Sequence, residues 1–144
     1  MTTQPASGEP PVVSVVIAAH NAARVLPEQL AALSVQTHQF PWEVIVADHA
    51  STDGTGDVAR VWADRVPVRV IAAPAGGGPA RARNAALDVA RGEYVLVCDA
   101  DDVVEPNWVE EMVLALQHAD LVGGALRYFS QNEHMDAWLR SEEH

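Results

Sequence analysis

At 144 residues, 49% hydrophobic and 20% charged, the chain has the size and balance of one globular domain that buries about two-thirds of its unfolded surface. Its formal net charge of −11 argues against nucleic acid and anionic lipid as partners, but leaves room for a small phosphorylated ligand held by a metal ion or by local backbone N–H groups. No apolar run approaches the roughly 18 residues of a membrane span. The N-terminus lacks the basic flank and apolar core of a signal peptide, and a single cysteine rules out an internal disulfide, so the expected compartment is the cytoplasm.

Residues 1–11, rich in Pro, Ser, Thr and Gly, read as a disordered lead-in to a domain over 12–130, with a polar tail over 131–144. Val12 to Ala19 is almost continuously apolar and β-branched, as in a strand buried on both faces. Asn21 is placed to cap a helix in which Leu26, Leu30 and Leu33 share one face and Pro27 lies in the first turn. Trp42 to Ala47 is a second buried strand ending at Asp48, Thr55 to Arg65 a helix, and Val68 to Ala72 a third strand.

The loop Pro74 to Pro79 then opens an Ala-rich helix over about 80–91, and Glu93 to Cys98 is the fourth strand. Pro106 starts a helix with Val109, Met112, Val113 and Leu116 at i, i+3, i+4 and i+7. Asp120 to Phe129 fits a fifth strand, with Gly123-Gly124 marking a bulge or a close backbone approach. Strands alternating with helices over short connections imply βαβ units, hence an α/β three-layer sandwich around a mostly parallel, Rossmann-like sheet.

In a parallel sheet the strand ends Ala18–Asn21, Asp48–Ser51 and Asp99–Asp102 lie along one edge, where open α/β folds bind ligands. The run Asp99-Ala100-Asp101-Asp102 suits a hard divalent cation, Mg²⁺ or Mn²⁺, that also takes phosphate oxygens. A D-x-D triplet by itself is weak, since this composition produces about one by chance. Sharing an edge with a second strand-terminal Asp gives it weight. Cys98, inside an apolar strand, reads as core and not as a nucleophile. Trp42, Trp62 and Trp108 fit packing positions, whereas Trp138 in the polar tail has no evident core role.

Four segments in this order, VSVVIAAHN (13–21), WEVIVADHASTDGT (42–55), GGGPARARNAALDVARGEYVLVCDADD (76–102) and EPNWVEEMV (105–113), resemble the family 2 glycosyltransferases of the GT-A fold over nearly the whole chain. The resemblance implies a nucleotide-diphosphate sugar (UDP-, TDP- or GDP-linked) as ligand, an acceptor hydroxyl of unstated identity, and a place in cell-wall or polysaccharide biosynthesis. It implies that Ala19 and Asn21 on the first segment, with Asp48 and Ser51 on the second, face the nucleoside. Asp48 would accept a hydrogen bond from the base, as a carboxylate takes one from an imide N–H. Equally, Asp48 fits the opening of a turn, and Ser51, Thr52 and Asp53 fit caps of the next helix. Gly78, Arg83 and Asn84 match the segment near the diphosphate and sugar, where glycines admit close backbone approach and a helix N-terminus favours anions.

The same resemblance makes Asp101 the metal ligand, with Asp99 on the metal or the ribose, Ala100 beside them and Asp102 near the donor sugar. His20 stands where the family has an aromatic residue, and Ala18 where it usually has Pro. His20 and His49 fit either the base or purely local contacts. No residue is assigned as the catalytic base of the inverting reaction. Glu133 and Asp136 lie in that direction along the chain without matching the family's base segment. The expectation is therefore a donor half ending after the fifth strand. It leaves open a donor-binding unit without turnover of its own, a homo-oligomer or partner subunit that covers the last strand, or a related nucleotidyltransferase.

Overall fold

The structure, a computed structural model, describes residues 10–74, 76–119, 121–122 and 125–127. The elements are β1 (Val13–Ala19), α1 (Leu26–Ser34), β2 (Trp42–His49), α2 (Thr55–Val61), β3 (Val68–Ala73), α3 (Gly78–Val89), β4 (Tyr94–Asp99), α4 (Trp108–Leu116), β5 (Leu121–Val122) and β6 (Ala125–Arg127). They form one sheet in the order β3-β2-β1-β4-β6-β5. The first four strands are all parallel, while β6 runs antiparallel to both β4 and β5. The expected α/β sandwich is the one observed.

The single fifth strand is corrected. Leu121–Val122 and Ala125–Arg127 form two short strands that pair antiparallel with each other. Gly123 and Gly124 themselves, residues 1–9 and the tail beyond 127, including Glu133, Asp136 and Trp138, lie outside the described residues.

Period-2 alternation sorts each central strand between two cores. On one face Val13, Val15, Ile17 and Ala19 of β1 join Val44, Val46 and Leu96 beneath Leu26, Leu30 and Leu33 of α1, Ala59 of α2 and Val109, Val113 and Leu116 of α4. On the other, Val16, Ile45, Ala47 and Val95 pack against Ala82, Ala86 and Leu87 of α3. Right-handed crossovers explain the split. The chain steps outward from β1 to β2 to β3 with α1 and α2 on one side. It then returns past β1 to β4, so α3 falls on the opposite side. The strand order therefore reverses between β1 and β4, and such a switch point opens a crevice at the carboxyl ends of the strands.

Candidate functional site

A crevice of about 470 Å³ occupies that switch point. β1 and the turn after it supply Ala18, His20, Asn21 and Ala22; β4 and its turn supply Cys98, Asp99, Ala100 and Asp101; Val25, Pro79 and Arg83 complete the walls. Register places the strand-end acids on either side of β1 but one residue out of step, since Asp99 aligns with Ala18 and Asp48 with Ala19. Two strand spacings and one residue of stagger then separate the Asp48 and Asp99 backbones by about 10 Å. A second, more apolar pocket of about 300 Å³ adjoins the first through Ala18, His20 and Pro79, and adds Ala19, His49 and Gly78.

Of the residues singled out from the sequence, Asn21, Arg83, Asp99, Ala100 and Asp101 thus share the crevice, and Ala19 and Gly78 line the smaller pocket. Asp48, Ser51, Asn84 and Asp102 line neither. Sequence reasoning passed over Ala22 and Val25 as walls, while Pro79 belongs to the glycine loop already placed near the sugar. Val25 stands just where α1 begins, and that helix-entry position was its available signal.

Between β1 and α1 the chain is stitched to the β2–α2 loop. Ser51 Oγ accepts from the Asn21 N–H at 2.9 Å, and Asn21 Oδ1 accepts from the Thr52 N–H at 2.8 Å. Thr55 Oγ1 accepts from Ala22 N–H at 2.9 Å and donates to the Asp53 carboxylate, which also takes the Ala23 N–H at 3.1 Å. That Thr55 hydroxyl, ahead of the backbone N–H groups, holds the Asp53 carboxyl below its ordinary range, against the opposing pull of desolvation. Asp53 is thus a tie between two loops. Asn21 is not the helix cap expected of it. It adopts φ 47 and bridges loops, while α1 begins at Leu26 with Pro27 in its first turn as expected. The Asp48 carboxylate accepts from Ser51 N–H at 3.3 Å and so opens its own turn.

His20 donates from Nδ1 to the His49 carbonyl at 2.5 Å, and its Nε2 accepts from Asn21 Nδ2 at 3.4 Å, which fixes the tautomer. The two imidazoles meet edge to face at 5.4 Å between centroids. Among the described residues, His49 Nε2 has no hydrogen-bond partner although it is buried.

Asp99 ends β4, Ala100 is buried beneath it, and Asp99, Asp101 and Asp102 are exposed. A turn is closed by the Asp102 N–H donating to the Asp99 carbonyl at 3.2 Å. Burial, followed by the charges of Asp102 and Asp99, pushes the Cys98 thiol far above its usual range, so it is protonated and inert, as a core cysteine should be. Among the described residues no three His, Cys, Asp or Glu side chains gather into a preformed metal cage. Two carboxylates at an open crevice nevertheless fit Mg²⁺ or Mn²⁺, which are commonly held by one or two carboxylates plus substrate phosphates and water. Across the crevice, Gly76, Gly77 and Gly78 take positive φ values of 74, 98 and 65 and lead into α3, whose first turn carries no acidic residue.

A parallel sheet ordered 3-2-1-4, an antiparallel strand β6 beside β4 and acids at the switch point define a GT-A-type α/β domain. The chain belongs to glycosyl transferase family 2, whose model matches residues 14–142. It is 34% identical over 125 residues to the glycosyltransferase GlyG of Streptococcus pneumoniae, covering 85% of this chain and 40% of that protein. It is 33% identical to the succinoglycan biosynthesis protein ExoO of Rhizobium meliloti over 141 residues, covering 90% of this chain and 40% of that one. The chain therefore spans about 40% of the length of these curated relatives.

Among solved structures, the mannosyltransferase PcManGT of Pyrobaculum calidifontis in complex with GDP-Man and Mn²⁺ superposes with a TM-score of 0.68 at 31% identity, covering 82% of this chain and 37% of that one. Staphylococcus aureus TarS in complex with UDP-GlcNAc gives 0.67 at 29% identity, covering 74% and 31%.

Proposed function

We propose that this domain binds a nucleotide-diphosphate sugar in the β1–β4 crevice and serves as the donor half of a glycosyltransferase that moves the sugar to an acceptor hydroxyl with inversion. The observation that carries this reading is the convergence of Asp99 and Asp101 with Arg83 and Asn21 in one crevice at the switch point. Support comes from similar proteins whose structures were solved in complex with UDP-GlcNAc and with GDP-Man and Mn²⁺. The names of relatives from succinoglycan synthesis and from poly(ribitol-phosphate) N-acetylglucosaminyl transfer favour a cell-surface polysaccharide as acceptor.

Asp101 and Asp99 would hold the divalent ion, Mn²⁺ or Mg²⁺. When bound, that ion supplies Lewis-acid stabilisation of the charge that builds on the departing nucleoside diphosphate. Arg83, on α3 across the crevice, adds positive charge on the diphosphate side. The glycine turn and the N-terminal N–H groups of α3 favour the same anion. Ala19, His20 and His49, which line the adjoining pocket, are assigned to the nucleoside side with Asp48 on the neighbouring strand end, Ser51 positions Asn21, and Asn84 and Asp102, outside both pockets, are assigned to the sugar side. Transfer with inversion also needs a general base for the acceptor. That base is assigned to the part of a whole enzyme beyond this domain, so turnover by these residues alone is expected to be low.

Calorimetric titration of UDP-, TDP- and GDP-sugars with and without Mn²⁺, on the parent chain and on Asp101→Ala, tests the reading. One donor is expected to bind more tightly with Mn²⁺, and Asp101→Ala is expected to lose about tenfold or more of that gain, at 1.4 kcal/mol per tenfold. No binding by any nucleotide sugar, or indifference to both metal and Asp101, would sink it.

A further inference from the structure

The acidic turn is held by an amide that the sequence offers as a core position. Leu26, Gln29, Leu30 and Leu33 form the i, i+3, i+4, i+7 stripe of α1, and all four are fully buried. A leucine at 29 would extend that stripe; a glutamine there carries a desolvation cost that only good hydrogen bonds offset. Both of its polar atoms are used on one segment. Gln29 Nε2 donates to the carbonyl of Asp99 at 3.0 Å, and Gln29 Oε1 accepts from the N–H of Val104 at 3.1 Å. A carbonyl on one side and an N–H on the other admit only this orientation of the amide.

The segment so grasped runs from Asp99 to Val104, has no regular secondary structure after β4, and carries three exposed carboxylates in four residues. Mutual repulsion pushes such a turn open. Further along, Gln36 fastens the exit of the same segment, donating to the Glu105 carbonyl at 2.6 Å and accepting from Val109 N–H at 2.9 Å. Thr37 N–H adds a bond to the Pro106 carbonyl at 3.0 Å. α1 thus grips the acidic segment from one side, while the chain leading into α1 is tied to the β2–α2 loop.

We infer that Gln29 is a positioning residue for the metal–diphosphate site: it fixes the backbone of Asp99 so that the Asp99 and Asp101 carboxylates are presented together before any ligand arrives. This rests on the donor-site reading above. Pre-set geometry matters because misplacing a binding group by about 1 Å can cost on the order of a hundredfold.

The test uses UDP and uridine as probes, titrated with and without Mn²⁺ on the parent chain and on Gln29→Met, which keeps volume and removes both bonds. In the variant the Mn²⁺-dependent gain in UDP affinity is expected to fall about tenfold or more, while metal-free uridine binding stays within about twofold. A variant that keeps the full Mn²⁺ gain overturns the inference and leaves the donor site standing. So does equal loss of uridine binding, because that marks a merely structural role. A parent chain that shows no Mn²⁺-dependent UDP binding overturns the donor reading itself. A readout that needs no variant is the Val104 amide: in the parent chain it should exchange with solvent at least about a hundredfold more slowly than an unprotected amide. Exchange at the unprotected rate would show that the grip is not formed, and would overturn the inference even if Gln29→Met does not fold.

Discussion

The two ends of the parallel sheet carry similar residue types and treat them in opposite ways. At the amino end, Glu43 is buried and saturated. Its carboxylate accepts from Ser14 Oγ at 2.6 Å, from Arg91 N–H at 2.8 Å and from Arg69 Nη2 at 3.0 Å, while Ser14 Oγ in turn accepts from Gly92 N–H at 2.8 Å. The closure is tight enough that a Cβ on Gly92 would stand 2.6 Å from Ser14 N. At the carboxyl end, Asp99, Asp101 and Asp102 are exposed and their backbone is held, while none of the salt bridges described reaches them. A satisfied buried carboxylate specifies and stabilises the fold, whereas a cluster of like charges left uncompensated stores capacity for a cation.

The largest break in this comparison is expected at the closed end. Glu43→Ala leaves the buried Ser14 hydroxyl without its acceptor, removes the acceptor of the Arg91 N–H and leaves the Arg69 guanidinium with the Val89 carbonyl but no counter-charge from Glu43. Removing one partner of a buried charge pair typically costs about 3–5 kcal/mol. Arg69 and Arg91 are partly exposed and can turn toward water, so the lower end of that range, about 3 kcal/mol, is expected in urea unfolding. Nucleotide-sugar affinity of the remaining folded protein should not change. If it falls with stability, the two ends are coupled and the division drawn here fails.

His38, on the approach to β2 at the same closed end, gives the next largest effect through pH. It is 3% exposed, accepts from Phe40 N–H through Nδ1 at 3.1 Å, and packs against Phe40 and Trp42. Desolvation lowers its pKa from 6.5 to about 4. Between those values the unfolded chain binds the proton that the folded chain refuses, so stability is fully present above pH 6.5 and falls as pH drops toward about 4. The loss is at most about 3 kcal/mol. Because carboxylates also titrate at the lower end, the check is the difference between parent and His38→Phe. The variant should show a shallower loss over this window, and parallel curves would refute the assignment.

How much of this was legible in the chain depends on whether the signal was local. Continuous apolar runs fixed the order of four strands, and the runs ending in Asp48 and Asp99 placed acids along one edge, because strand period and strand ends are written in consecutive residues. The roles that were missed join residues 30 to 78 positions apart: Asn21 with Ser51 and Thr52, Gln29 with Asp99 and Val104, Ser14 with Gly92. Asn21 has the residue type of a helix cap, and only the loop it meets shows that it bridges instead. Two polar anchors did leave a trace. Ser14 and Glu43 interrupt otherwise apolar strands at positions that register pairs side by side, and Gln29 interrupts a leucine stripe. A polar residue on a core position is the cue to ask for its partner.

The smallest effect sharpens the contrast most, because it carries the opposite sign to Glu43→Ala. Asp101→Asn at the open end removes one of three neighbouring, exposed negative charges and keeps a side chain of the same shape. Relief of repulsion between exposed charges is worth a few tenths of a kcal/mol, so the variant should unfold at the same urea concentration as the parent or slightly above it, within about 0.5 kcal/mol. The gain should shrink as salt is raised, since screening removes the repulsion from the parent as well. The same substitution is expected to weaken Mn²⁺-dependent donor binding, so one change would raise stability and lower affinity together. A clear destabilisation by Asp101→Asn would mean that its carboxylate is bonded within the fold, and the open end would then be a second structural anchor in place of a site.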